Sequence, residues 1–294
     1  MPRPRRPVLN AAVLGRPVAH SLSPVLHSAA YRALGMDDWA YGAHDLGAAE
    51  LAAWVGERDE SWRGLSLTMP LKDVALTLAD TASATARLTG AANTLVRRDD
   101  LGWDAHNTDV AGIVGALAHV DHDGTATLLG SGATARSAGA ALVRLGMREV
   151  RVAARNPSSA ADVVALLQGL GTEAVAVPLE QWAAVPATVV VSTLPPAVGA
   201  AVAALSEPAD ATGRGATLLD VVYADWPTEL ARAASGAGYD VVSGLDMLVH
   251  QAAEQFRLFT GRDAPVEAMF AAGRAALAAD DRLDGAAHGD GTAR

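Results

Sequence analysis

Short apolar runs alternate with longer Ala- and Leu-rich stretches along most of the chain, the first with strand character and the second with helical periodicity. Val8–Leu14 reads as a strand, and Pro24–Leu34 as a helix closed by Gly35. Gly64–Thr68 is a short strand, with a helix from about Pro70. Thr125–Leu129 is a β run that meets a Gly-rich turn; a helix to Leu145 follows, stopped by Gly146, and then the strand Val150–Ala154. Val189–Ser192 and Thr217–Val222 are further buried β runs. The βαβα order implies an α/β protein, with a parallel sheet covered by helices on both faces.

Two α/β blocks emerge. The first ends near Asn107; the second begins with the helix Thr108–His119 and runs to about Val242. A long helix, Gly244–Phe259, follows the last strand, and a chain that returns to its first block would account for it. Residues 1–7, rich in Pro and Arg, lack the apolar stretch of a secretory signal and read as a short disordered leader. Residues 280–294 show no periodicity and read as a frayed tail.

Composition narrows the function. Half of the 294 residues are hydrophobic and 19% are charged, enough for a sizeable core. The formal charge of −10 disfavours a chain built to lie on nucleic acid or anionic lipid. Cysteine is absent, which removes disulfides, thiol nucleophiles, thiolate zinc sites and iron–sulfur clusters. No apolar run approaches a membrane span, so a soluble, cytoplasmic protein is expected.

Gly130-Ser131-Gly132-Ala133-Thr134-Ala135 follows a strand and opens a helix. It fits G-x-G-x-x-A, in which glycines let a pyrophosphate approach a helix N-terminus. At the end of the next strand, where an NAD site places an acid for the ribose 2′-hydroxyl, the chain has Ala154-Arg155-Asn156. A guanidinium there suits a 2′-phosphate and favours NADP(H).

His20-Ser21-Leu22-Ser23-Pro24 leads into the first helix. Taken alone it reads as a cap, with Ser23 at the N-cap and Pro24 as the first helical residue. Ser21 and Ser23 together could also hold a carboxylate at the helix start. Lys72, ending Thr68-Met69-Pro70-Leu71-Lys72, and Asp109, ending Asn107-Thr108-Asp109, supply an ammonium and a carboxylate that could exchange a proton with an alcohol or ketone. Spacing leaves open whether they meet. His119-Val120-Asp121-His122-Asp123 reads as a polar loop rather than a metal cluster, and no nucleophile elbow or Walker A pattern occurs.

Taken in order, these motifs resemble the shikimate dehydrogenase family, from the first strand to the helix end near Phe259. Gly15-Arg16-Pro17-Val18-Ala19-His20-Ser21-Leu22-Ser23-Pro24 is similar to its substrate-binding start, and Gly64-Leu65-Ser66-Leu67-Thr68-Met69-Pro70-Leu71-Lys72 to its catalytic-lysine motif. Gly90-Ala91-Ala92-Asn93-Thr94-Leu95, Asn107-Thr108-Asp109 and the Gly-rich turn follow. Asp220-Val221-Val222-Tyr223 with Pro227-Thr228, and Gly244-Leu245-Asp246-Met247-Leu248-Val249-His250-Gln251-Ala252, complete the series.

The resemblance implies an α/β fold of two domains. Residues 1–107 would form the substrate domain and 108–242 a Rossmann-like, parallel-sheet NADP domain, while 243–279 would return to the first. It assigns catalysis to Lys72 and Asp109. Substrate binding falls to Ser21, Ser23, Thr68, Asn93, Asp109, Tyr223 and Gln251. The cofactor falls to Gly130, Ser131, Gly132, Ala133, Thr134, Ala135, Arg155 and Gly244, with no metal. The implied reaction is the reversible NADPH-dependent reduction of 3-dehydroshikimate to shikimate, in chorismate and aromatic amino-acid biosynthesis. The implied partner is a small-molecule substrate, without nucleic acid or membrane, for a monomer or homodimer. The alternatives are a paralogue acting on quinate or aminoshikimate, and a non-catalytic ligand-binding relative. Four positions depart from the family pattern: Ser66 in place of the usual Asn, Ala105 in place of Gly, and Ala154 and Ser159 in place of the Asn and second Arg of the 2′-phosphate motif.

Overall fold

The computed structural model describes residues 8–205 and 215–289. The leader expected over 1–7 lies outside the described residues, as does the 290–294 part of the expected tail. The first half of the chain comprises β1 (Leu9–Gly15), α1 (Ser23–Ala33), β2 (Trp39–Asp45), α2 (Leu51–Gly56) and β3 (Trp62–Leu67). After these come α3 (Lys72–Leu78), β4 (Thr81–Ala82), α4 (Ala84–Thr89), β5 (Thr94–Arg97) and β6 (Trp103–His106). They form a six-stranded sheet in the order β2-β1-β3-β5-β6-β4. β1 pairs in parallel with β2 and β3, as the βαβ pattern predicts. The other half departs from that expectation, because β5 runs antiparallel to both β3 and β6. The cause is local. β5 and β6 are joined by a short turn in which the Arg98 N–H donates to the Gly102 carbonyl at 2.9 Å and Leu101 adopts φ +67°. So short a connection joins only antiparallel neighbours.

Helix α5 (Asp109–Leu117) leads into the second half. Its elements are β7 (Thr125–Leu129), α6 (Ala133–Arg144), β8 (Glu149–Ala154), α7 (Pro157–Gly169), β9 (Glu173–Pro178), β10 (Val189–Ser192), α8 (Pro196–Leu205), β11 (Thr217–Asp220), α9 (Glu229–Gly236) and β12 (Asp240–Ser243). The strand order is β12-β11-β10-β7-β8-β9, with every pairing parallel. The chain runs outward from β7 to one edge, returns beside β7 at β10, and runs out to the other edge. In such doubly wound sheets, ligands bind at the reversal point, here between the carboxyl ends of β7 and β10.

Helices α10 (Gly244–Thr260) and α11 (Val266–Gly289) come last. Met247, near the start of α10, belongs to the core of the second sheet. Further along, Val249, Ala252 and Phe256 join Leu22, Leu26 and Tyr31 of the first half, together with Met269 from α11. α10 thus spans both halves, and α5 packs along it. A Cβ on Gly112 would sit 2.7 Å from the Met247 carbonyl oxygen, and one on Gly115 2.5 Å from His250 Cγ, so both positions need glycine for this close approach. α11 extends to Gly289, past Asp280, where the sequence pattern suggested fraying. Ala279, Arg282, Leu283, Ala286 and Ala287 are good helix formers, which favours continuation without any amphipathic period. Among the described residues no helix is long and apolar enough to cross a membrane.

Candidate active site

Between the two sheets lies a cavity of about 270 Å³. Ser21, Ser23, Thr68, Lys72, Asn93, Asp109, Tyr223, Gln251, Thr134 and Gly244 all line it. Most sit at or near an element end: Lys72 and Asp109 open α3 and α5, Asn93 precedes β5 and Tyr223 follows β11, whereas Gln251 projects from the middle of α10. The motifs are distant in sequence, but the carboxyl ends of strands and the starts of helices converge here.

At its centre Lys72 Nζ lies 2.6 Å from Asp109 Oδ2, with side-chain exposures of 17% and 5%. The other Asp109 oxygen accepts from Asn93 Nδ2 at 2.7 Å. The orientation of the Asn93 amide follows from the backbone: the Thr108 N–H donates to Oδ1 at 2.8 Å, so the nitrogen faces Asp109. Gln251 Oε1 accepts from Asn93 Nδ2 and from the Thr108 hydroxyl, each at 3.3 Å, and its Nε2 donates to the Leu248 carbonyl at 3.1 Å. The pair is therefore an ammonium and a carboxylate in a mostly desolvated pocket, where electrostatic interactions are strong.

The wall behind the pair draws on Ser66 and Thr94 from within the motifs and on Tyr41 and Gln255 from outside them. The Tyr41 hydroxyl donates to Ser66 Oγ at 2.6 Å, and Ser66 donates to Gln255 Oε1 at 2.7 Å. Gln255 Nε2 donates to Thr94 Oγ1 at 2.9 Å and to the Asn93 carbonyl at 3.2 Å. Gln255 lies one helical turn beyond Gln251, and that spacing of two glutamines on one helix face was the available signal.

Two expectations change. Ser23 is not the N-cap of α1. The cap position is Leu22, in helical conformation with no side-chain cap bond, and Ser23 is the first helical residue, buried beside the cavity. Ser21 Oγ instead accepts the Ser23 N–H at 3.3 Å, because the helix begins one residue earlier than the Ser-Pro pattern suggests. Ala135 is fully buried in the core of the second sheet, so its side chain packs α6 rather than facing the turn.

At the reversal point Gly130 has φ +111°, and a Cβ there would lie 2.4 Å from Thr193 Oγ1 in the loop after β10. Gly132 is the N-cap of α6 and offers no side chain to cap it, while a Cβ on it would meet no protein atom within 4 Å. The start of α6 thus carries no side-chain cap and leaves room at Gly132, as a pyrophosphate at a helix N-terminus requires. Arg155 is exposed at the end of β8, in a pocket of about 450 Å³ with Pro157, Val177 and Glu180. The hydroxyl oxygens of Ser131, in the Gly-rich turn, and Ser159, in the first turn of α7, lie 2.7 Å apart. Asn156 caps α7, accepting the Ser158 N–H at 3.0 Å. These residues fit a dinucleotide with a charged group at the ribose.

Asp220 and Thr228 serve the loop that carries Tyr223. Thr228 Oγ1 donates to Asp220 Oδ2 at 2.7 Å and caps α9. Burial pushes the Asp220 carboxyl and the Tyr223 phenol upward. Asp123, in the His/Asp loop, accepts from Thr125 Oγ1 at 2.7 Å and Thr188 Oγ1 at 2.8 Å, and those bonds hold its carboxyl down at about 2. Among the described residues no three His, Asp or Glu side chains are grouped to hold a metal.

Comparison with known proteins points the same way. Residues 13–95 match the family model described as the shikimate dehydrogenase substrate binding domain, and residues 244–272 match the shikimate 5′-dehydrogenase C-terminal domain. A shikimate dehydrogenase (NADP(+)) of Synechococcus sp. (strain JA-3-3Ab) is 36% identical, covering 90% of this chain and 93% of its own. The crystal structure of the shikimate dehydrogenase of Mycobacterium tuberculosis superposes with TM-score 0.83 at 47% identity, over 91% of this chain and 99% of that one. The enzyme of Thermus thermophilus, solved in complex with NADP(H) and shikimate, gives TM-score 0.78 at 33% identity, over 92% and 100% of the two chains. With its likeness to these relatives extending over nearly the whole length, the chain belongs to the shikimate dehydrogenase family.

Proposed function

We propose that the cavity interconverts 3-dehydroshikimate and shikimate with NADP(H), and that the observation carrying this reading is the Lys72–Asp109 pair, 2.6 Å apart in the cleft facing the Gly-rich turn. The nicotinamide cofactor, when bound, supplies or takes up the hydride. The first turn of α6 holds its pyrophosphate and Arg155 its 2′-phosphate. In the reducing direction Lys72 Nζ gives a proton to the oxygen that was the ketone, and in the oxidising direction it takes that proton back. Asp109 holds Lys72 through Oδ2 and accepts from a neighbouring substrate hydroxyl. Asn93 and Gln251 orient the ring hydroxyls. Ser21 and Ser23 hold the carboxylate at the start of α1, with Tyr223 and Thr68 closing the wall.

In this reading residues 1–107 form the substrate domain, 108–242 the cofactor domain, and 243–279 the returning helices. The enzyme works in the cytoplasm on a small molecule, as a monomer or homodimer. The test is a steady-state assay of shikimate and quinate, each with NADP⁺ and NAD⁺. Shikimate with NADP⁺ should give the highest kcat/KM. A preference for quinate would move the protein to the paralogue, and binding without turnover to the non-catalytic relative.

A further inference from the structure

The Lys72 ammonium has three N–H bonds to place. Asp109 takes one at 2.6 Å. Another partner comes from the opposite half of the molecule: Thr134 Oγ1 lies 3.5 Å from Nζ, at the outer limit of a hydrogen bond. Thr134 is the second residue of α6, just behind the Gly-rich turn, and lines the same cavity.

That turn is anchored to the chain around the pair. Arg136 Nε donates to the Thr89 carbonyl at 2.6 Å, and Arg136 Nη2 to Asp73 Oδ1 at 2.7 Å, Asp73 being the neighbour of Lys72. Ser137 Oγ accepts from Asn107 Nδ2 at 2.9 Å, while Asn107 Oδ1 accepts the N–H of Asp109 at 3.1 Å. The N-terminal part of α6 therefore holds the residue next to Lys72 and the one two before Asp109.

We propose that Thr134 is a positioning residue for Lys72, its hydroxyl holding the ammonium across the cleft so that the remaining N–H faces the cavity. With Asp109 alone, the ammonium is held on one side and can swing about that contact. A second acceptor on the far side removes this freedom. Because the two acceptors come from different halves of the molecule, Lys72 is aligned only when the halves stand at this separation. The helix that receives the cofactor thereby also orders the proton donor.

The experiment compares Thr134→Val, which keeps the shape and loses the acceptor, with Thr134→Ser, which keeps the acceptor and loses the methyl. One readout is shikimate oxidation and so rests on the function proposed above. The other does not: Lys72 is the only lysine in the chain, so formaldehyde with cyanoborohydride methylates this side chain and otherwise only the N-terminal amine. Its rate is followed by mass spectrometry of the peptide carrying residue 72. Thr134→Val should lower kcat about five- to thirtyfold, with KM for shikimate and NADP⁺ changed by less than about threefold. Lys72 in that variant should be methylated about threefold faster or more, because it is no longer held on two sides. Thr134→Ser should bring both readouts back to within about threefold of the parent. Parental kcat and methylation in the valine variant would overturn the proposal. So would equal losses in both variants, which indicate packing, or a raised NADP⁺ KM with kcat intact, which indicates cofactor contact alone. If the parent itself fails to oxidise shikimate, the functional reading falls, and the methylation comparison still decides the Thr134–Lys72 contact.

Discussion

Replacing Lys72 by arginine and by methionine separates its charge from its proton. The pair is close, 2.6 Å, with Asp109 only 5% exposed and Lys72 17% exposed. Lys72→Met leaves the carboxylate with Asn93 as its remaining side-chain donor. Breaking a buried pair in this way typically costs about 3–5 kcal/mol, and the partial exposure of Lys72 brings the expected loss to about 2–3 kcal/mol. Lys72→Met/Asp109→Asn should recover about half of that or more, since no unpaired charge remains. Lys72→Arg keeps a cation beside Asp109, and its stability should lie within about 1 kcal/mol of the parent. A guanidinium does not release its proton near neutral pH, so kcat should still fall by about a hundredfold or more. The assay is urea unfolding alongside steady-state shikimate oxidation. If Lys72→Arg turns over within about tenfold of the parent, Lys72 contributes charge and not a proton, and the mechanism above is wrong. A Lys72→Met variant as stable as the parent would show that burial does not make the unpaired carboxylate costly.

Ser21→Ala should raise the shikimate KM and cost at most about 1 kcal/mol, the worth of one weak bond to the Ser23 N–H. Ser23→Ala should raise KM with little change in melting, since Ser23 caps nothing, and a loss of stability with KM unchanged would restore the capping role. Arg155→Ala should weaken NADP⁺ about ten- to a hundredfold and leave NAD⁺ nearly unchanged, checked by calorimetric titration of both; equal losses would place Arg155 in the adenine pocket or the fold. His27 is fully buried, stacked 4.1 Å from Tyr41, with neither ring nitrogen hydrogen-bonded. Burial pushes it down to about 3, only partly offset by nearby Gln255. Its folded value is depressed, so the fold needs the neutral ring. Stability is full above about pH 6.5 and is lost as pH falls toward 3, by about 2 kcal/mol at pH 5. His27→Phe should flatten the urea-unfolding difference between pH 5 and pH 7, and an unchanged difference would acquit His27.

Much of the second half was legible because a buried parallel sheet writes itself as unbroken apolar runs. Thr125–Leu129 and Val189–Ser192 match the observed strands in full, and Glu149–Ala154 begins one residue before the expected start. The hairpin β5–β6 was missed, since its strands are only four residues each and β5 is buried at its first two positions alone, while β6 alternates buried with half-buried positions. β2 was missed for a related reason: it lies at a sheet edge and carries no continuous apolar face. The chemistry-bearing residues were legible as motifs. That Lys72 and Asp109 meet was not, because the contact joins the starts of two helices far apart in the chain and is set by tertiary packing, with Asn93 bridging to Thr108 and Asp109. Ser66 and Thr134 stand inside the motifs and Gln255 shares a helix face with Gln251, but their place beside the pair follows from the same long-range packing.

One signal in the sequence bears on the mechanism more directly than any motif. Of the 23 Lys and Arg residues, only position 72 is lysine. Everywhere else a permanent charge with a planar fork serves, as where Arg136 binds Asp73 and two carbonyls, or Arg98 binds Asp100 and Asp104. Such sites reward geometry, which guanidinium supplies. Position 72 instead carries a compact amine with rotatable donors, the cation whose proton can be lost and regained when its surroundings favour it. If the role there were only to balance Asp109, arginine would serve as it does elsewhere on this surface. The exception falls on the residue that faces the cavity from between a carboxylate and a hydroxyl, which is where a proton must move if a carbonyl is to become an alcohol.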